Sequence, residues 1–329
     1  MEKKQDNLME ISNLTVRYNT DDAVVHAVNN FNLKLVRGEA RGLVGETGAG
    51  KTTLALSILR LLPERVGEVA GGSIVYDGQE LLNLPEAEML PLRGKRISMI
   101  FQDPMTSLNP TQTVGDQILE VLNLHFPEMT RDEKNKRVDE MMTLVGIPPQ
   151  RKKSFPHEFS GGMKQRVVIA MALVAEPELL LADEPTTALD VTIQAQILEL
   201  MKQLREKFNT SVMLITHDLG VVAQFCDSVS VVYAGRVVEY GPVEVVFQRK
   251  ENHPYTAGLF NCIPNLHDDQ PRLHPIAGHM ADPRVEYKGC CFADRCEYAT
   301  ERCRTEAPSM HVCGEHGIMC HRYAEKEEF

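Results

Sequence analysis

The opening segment Leu8–Tyr18 alternates apolar and polar residues, the period-two pattern of a half-buried strand, and Phe31–Leu35 repeats it. Glu39–Val44 reads as a short strand running into Gly45. Lys51–Leu62 changes to helical spacing and stops before Pro63. Ser73–Tyr76 and Ile97–Phe101 read as further strands. From about Val114 to Ala175 the patterns are mostly helical. Thr130 and Glu133 form a capping box there, and Val138, Met141, Met142 and Val145 follow on one face as core packing. Strand patterns return at Leu179–Ala182, Val212–Ile215 and Val229–Tyr233. Between the first two, a helix runs from Val191 to about Lys207, with Asp190 as its cap and Ile193, Ile197, Leu200 and Leu204 on one face. The order predicts an α/β unit interrupted by a helical insertion. After about Gln248 the texture becomes loop-rich, punctuated by Pro264, Pro271, Pro275 and Pro283.

Composition narrows the function classes. A chain of 329 residues is long enough for about two domains, and 43% hydrophobic with 25% charged residues is ordinary for a globular protein. The formal net charge of -11 argues against nucleic acid as the main partner, since that binding rests on neutralising phosphates. The longest apolar stretch, Val167–Ala175, is bounded by Arg166 and Glu176, far short of the roughly 20 residues a bilayer-spanning helix needs. Met1–Asp6 leads into no apolar run, so the expectation is a cytoplasmic protein without a secretory signal. Of eight cysteines, six lie between Cys290 and Cys320. In a reducing compartment such a cluster reads as metal or cluster ligands before disulfides.

The chemistry begins at Gly45-Glu46-Thr47-Gly48-Ala49-Gly50-Lys51-Thr52, followed by Thr53, which matches the P-loop pattern. Glycines there let the backbone turn tightly and aim successive N–H groups at phosphate oxygens, and the following helix adds its positive end. Lys51 is expected to reach the β- and γ-phosphates, and the Thr52 hydroxyl to ligate Mg²⁺. Further along, the apolar run Leu179–Ala182 ends in Asp183 and Glu184. A buried strand that delivers a carboxylate at its end suits magnesium holding by Asp183, and Glu184 is placed to orient and deprotonate the attacking water.

Between these elements, Phe159-Ser160-Gly161-Gly162-Met163-Lys164-Gln165-Arg166 resembles the signature sequence of ATP-binding-cassette proteins, with Met163 where glutamine is common. Other segments fit that family in order. Gln102, in Phe101-Gln102-Asp103-Pro104, matches the glutamine loop, a second place for Mg²⁺ contact. Thr187-Ala188-Leu189-Asp190 matches the loop that crosses the dimer interface. His217 matches the switch histidine at the γ-phosphate, and Tyr18 the aromatic that stacks on adenine. The resemblance covers about Leu8 to Gln248. It implies a P-loop NTPase core with an antiparallel β subdomain and a helical insertion over about 103–176. It also implies that ATP is sandwiched between two cassettes, with Ser160, Gly161 and Gly162 acting on the partner's nucleotide.

Beyond the cassette (1–248), the region 249–329 resembles the C-terminal region of oligopeptide/dipeptide importer ATPases. His253-Pro254-Tyr255-Thr256 and Ile263-Pro264 start the likeness. Gly289-Cys290, Phe292, Arg295-Cys296, Cys303 and Cys320-His321 continue it. In that family four such cysteines can hold an iron–sulfur cluster, which carries over to Cys290, Cys296, Cys303 and Cys320. Four thiolates suit a [4Fe-4S] cluster or Zn²⁺, and the spacing does not choose. Cys291 and Cys313 are additional, and His311, His316 and His321 stand close in sequence; Cys226 and Cys262 read as packing residues. The resemblance implies two permease subunits, a second and paralogous cassette ATPase, and an extracytoplasmic peptide-binding protein, with this chain at the cytoplasmic face of the inner membrane. Nickel, glutathione or another small solute remain alternative cargoes, as does a non-transport cassette ATPase.

Overall fold

The computed structural model describes residues 6–187, 189–248, 250–262, 275–324 and 326; Ala188, Ile263, Pro264 and Pro271, singled out above, lie outside them. The chain divides into two compact units. One is built on Asn83–Ile215 together with Leu35–Ala40; the other on Met9–Lys34, Arg41–Leu82 and the chain from Thr216 onward.

In the first unit, three parallel strands, Ile97–Ile100, Leu179–Asp183 and Ser211–Thr216, pair side by side. Leu179–Asp183 is buried along its whole length, which is why its pattern is continuously apolar. Between the first two of these strands the chain forms helices Val114–His125, Arg131–Leu144 and Gly161–Leu173. Thr130 and Glu133 form the expected reciprocal cap, and Val138, Met141 and Met142 are buried. Helix Val191–Phe208 is capped by Asp190, whose carboxylate accepts the Ile193 N–H; Ile197, Leu200 and Leu204 are buried on its inner face.

In the second unit, strand Asn7–Asn19 pairs antiparallel with Gly67–Tyr76, which continues to Gln79–Glu80. The Ala40–Val44 strand pairs parallel with Ser228–Tyr233, and that strand turns back antiparallel as Arg236–Pro242. The helix after the P-loop covers Lys51–Ile58, shorter than the Lys51–Leu62 expected. It ends early because Arg60 takes a left-handed conformation at φ 52°, and the Leu61 N–H closes back on the Leu56 carbonyl at 2.8 Å. No glycine marks this stop, so the sequence does not announce it.

The cysteine-rich tail joins the same sheet. His316–Ile318 pairs antiparallel with Arg236–Pro242, and His311–Cys313 pairs outside it. An aromatic cluster locks the junction: Tyr233 lies 4.7 Å from Tyr255 and 5.2 Å from Phe292 between ring centroids. Such pairs contribute about 0.5–1.5 kcal/mol each beyond their burial. Beneath them sits a polar clip. The fully buried Glu239 carboxylate accepts the Asn252 side-chain amide and the His253 backbone N–H, each at 2.8 Å, and meets the His316 ring nitrogen at 2.8 Å. Among the described residues no helix is long and apolar enough to cross a membrane.

Replacing Glu239 by alanine leaves three buried polar partners without that carboxylate. The expected loss is about 2–4 kcal/mol of unfolding free energy in urea titration. The exposed control Glu206→Ala is expected to stay within about 0.5 kcal/mol of the unaltered chain.

Candidate functional site

The phosphate loop spans the gap between strand Ala40–Val44 and helix Lys51–Ile58, and close backbone approach fixes its path. A Cβ on Gly45 would sit 2.2 Å from the Val232 carbonyl oxygen, and one on Gly50 would sit 2.1 Å from the Ala27 carbonyl oxygen. Gly48 and Gly50 both have positive φ, 85° and 95°. Only glycine satisfies both demands at Gly50. The Gly235 N–H donates to the Ala49 carbonyl at 3.0 Å, which fastens the loop from behind. Lys51 is buried and curls over the loop, donating to the Gly45 carbonyl at 2.7 Å and the Glu46 carbonyl at 3.0 Å. Thr52, next in line, is exposed. The Tyr18 hydroxyl donates to the Thr53 hydroxyl at 3.2 Å, which places the tyrosine beside the first helical turn. His217 is exposed on the turn after Thr216, and Asp218 caps the following segment by accepting the Gly220 N–H at 2.7 Å.

The other unit carries the carboxylates. Asp183 is buried at the end of its strand. Glu184 follows with φ 47°, a left-handed conformation rare for a residue with a side chain. Its N–H donates to the Ile215 carbonyl at 2.9 Å, which holds the turn. The Glu184 carboxylate accepts the Thr187 hydroxyl at 2.8 Å and the Gln102 side-chain amide at 3.3 Å. Gln102 and Glu184, 82 residues apart in sequence, are thereby brought together on the ends of neighbouring strands. Strain at a carboxylate is a common mark of functional positions.

The signature segment lies in this unit too. Ser160 caps helix Gly161–Leu173 by accepting the Met163 N–H at 3.4 Å. A Cβ on Gly162 would press within 2.7 Å of Ile193, so that glycine permits close packing against the helix capped by Asp190. Ser160, Gly161 and Asp190 are exposed.

In the C-terminal region, Cys290, Cys296, Cys303 and Cys320 line one small cleft, together with His253, Phe292 and His321. None of Cys290, Cys296, Cys303 and Cys320 is in a disulfide. Cys291 is buried elsewhere, its thiol 3.9 Å from the Tyr233 carbonyl, and neither it nor Cys313 lines the cleft. Burial pushes the Cys290 thiol up to about 12, with the neighbouring Cys291 adding to it; burial also raises Cys296 and Cys320. Among the described residues no three His, Cys, Asp or Glu side chains form a group that could hold a metal ion.

Two residues to which the sequence assigns no role touch the phosphate loop. The Tyr255 hydroxyl accepts the Glu46 backbone N–H at 2.9 Å, and Arg295 pairs with the Glu46 carboxylate. Both lie in segments quoted above for their family likeness, Tyr255 in His253–Thr256 and Arg295 in Arg295-Cys296, and neither segment names a role at the loop.

Comparison with known proteins agrees with these motifs. The sequence model of the ABC transporter family matches residues 28–187, and that of the oligopeptide/dipeptide transporter C-terminal region matches residues 238–303. The chain is 47% identical to the oligopeptide transport ATP-binding protein OppD of Haemophilus influenzae, over 98% of each chain. It is 49% identical to OppD of Salmonella typhimurium, over 92% of this chain and 89% of the relative. Among solved structures, the dimeric ATP-binding cassette MJ0796, in a post-hydrolysis state bound to ADP and Pi, superposes with a TM-score of 0.64 at 28% identity. That match covers 71% of this chain and 98% of MJ0796. The chain therefore has the ABC ATPase cassette fold and belongs to the ABC transporter family, among the ATP-binding proteins with the oligopeptide/dipeptide-type C-terminal region.

Proposed function

We propose that the chain is the ATP-hydrolysing subunit that powers uptake of di- and oligopeptides through a membrane permease. The observation that carries this is the likeness to OppD along nearly the full length, through both the cassette and the region beyond it. It acts at the cytoplasmic face of the inner membrane, docked on two permease subunits and paired with a second, paralogous cassette. An extracytoplasmic peptide-binding protein delivers the cargo.

In this reading the phosphate loop binds ATP. Backbone N–H groups of the loop and the positive end of helix Lys51–Ile58 cradle the phosphates. Lys51 leaves its carbonyl contacts at Gly45 and Glu46 to reach the β- and γ-phosphates. Tyr18 stacks on the adenine. Thr52, Asp183 and Gln102 offer the hard oxygen donors that Mg²⁺ takes. Mg²⁺, when bound, neutralises charge on the β- and γ-phosphate oxygens. Glu184 is the general base for water. Its contacts with Gln102 and Thr187 fix the carboxylate, and the Gln102 contact makes its aim responsive to the glutamine loop. His217 contacts the γ-phosphate. Ser160, Gly161 and Gly162 serve the partner cassette's nucleotide, and Asp190 lies at that interface.

Cys290, Cys296, Cys303 and Cys320 line one small cleft, in a region that resembles the oligopeptide/dipeptide transporter C-terminal region. We assign Cys290, Cys296, Cys303 and Cys320 as ligands of a [4Fe-4S] cluster, with Zn²⁺ as the alternative. Such a group cross-links a region with little core of its own, and no step of hydrolysis passes through it.

Glu184→Gln is expected to retain ATP affinity, accumulate a closed dimer and lose at least about a hundredfold in turnover. Nucleotide binding, gel filtration and phosphate release measure the three effects, and near-normal hydrolysis refutes the base assignment. Protein purified without air is expected to be brown, with absorbance near ~400 nm and bound iron, both lost in Cys303→Ser. Colourless protein carrying zinc would assign the cleft to Zn²⁺ instead.

A further inference from the structure

A loop that receives a triphosphate should present donors and positive charge. This one carries a carboxylate, Glu46, directly after its first glycine. An uncompensated negative charge there opposes a polyanionic ligand at close range.

The structure supplies compensation from 249 residues further along the chain. Arg295 makes a two-pronged pair with the Glu46 carboxylate, one guanidinium nitrogen at 2.7 Å from one oxygen and the other at 3.1 Å from the second. The arginine side chain is 5% exposed and that of Glu46 30%, so the pair is shielded from solvent on the arginine's side. The guanidinium is held in place. Its Nε donates to the Ala277 carbonyl at 3.1 Å, and it lies 5.8 Å from the Tyr233 ring centroid and 6.0 Å from that of Phe292. The fork geometry matches a carboxylate in a way that a lysine ammonium cannot. With Tyr255 taking the Glu46 N–H, both the backbone and the side chain of this loop residue are anchored on the C-terminal region.

We propose that Arg295 is a positioning residue for nucleotide binding. Through Glu46 it turns the loop's carboxylate away from the incoming phosphates, cancels its charge and fixes the loop from behind. The inference rests on reading the loop as the ATP site. It makes the region beyond the cassette a part of that site, since the arginine stands next to Cys296 and beside Phe292 in the cleft segment.

The test is a double-mutant cycle on the full chain, read by titration with a fluorescent ATP analogue. Arg295→Ala is expected to weaken binding about tenfold or more, with KM for ATP rising and kcat little changed. In the Glu46→Gln background the same arginine loss is expected to cost less than about threefold, because no carboxylate remains to be neutralised. Arg295→Gln keeps a planar donor group while dropping the charge, and it serves as a second arm with the same expectations should Arg295→Ala not fold. An equal loss in both backgrounds overturns the proposal, since the arginine then acts only as scaffold. Unmoved affinity in the single variants overturns it as well, while leaving the ATP reading intact. If the unaltered chain binds no ATP, both readings fall together.

Discussion

The close approach of two glycines to neighbouring carbonyls governs the phosphate loop. Gly45 lies against Val232 and Gly50 against Ala27 with no room for a side chain, so the loop between them has one path. That path points the loop's end into helix Lys51–Ile58 and sets Thr52 and Thr53 on its first turn, beside Tyr18. The constraint is steric and therefore stiff. It also costs conformational entropy, since glycine gives up the widest range of backbone states on folding.

Around the carboxylates the logic differs. Glu184 sits in a strained left-handed turn, and hydrogen bonds to Ile215, Thr187 and Gln102 hold it there. A carboxylate fixed by a flexible amide on a separate strand end can change its aim when that amide moves. The phosphate loop is set by glycine packing together with contacts to Gly235, Tyr255 and Arg295, and the Glu184 carboxylate by side-chain hydrogen bonds.

Much of this was legible in the sequence where neighbouring residues carry the message. Glycine spacing marks the loop, the apolar run ending in Asp183 and Glu184 marks a buried strand end, and Thr130 with Glu133 marks a helix start that the fold contains. What was hidden depends on distance or on exceptions to local rules. Helix Lys51–Ile58 stops at Arg60, which adopts a conformation normally left to glycine. The Arg236–Pro242 and His316–Ile318 strands are short or carry glycine and charge, so their patterning is weak, and tertiary pairing decides them. The spacing of the six cysteines from Cys290 to Cys320 does not single out four of them; the family resemblance does, and the fold places those four on one cleft and leaves Cys291 and Cys313 off it. The partnership of Arg295 with Glu46 has no local signature at all, because nothing in either neighbourhood names the other.

The pairing of the tail with the sheet has a colloidal consequence. Without His316–Ile318, strand Arg236–Pro242 would offer its outer backbone groups to any extended chain that came near, including another copy. The tail occupies that row and leaves outermost the three-residue His311–Cys313 segment, too short to template a long ladder. A shortened chain that ended after the cassette would uncover this strand at Glu239 and Tyr240, where Ile318 and Gly317 now pair with it, and so present an open edge.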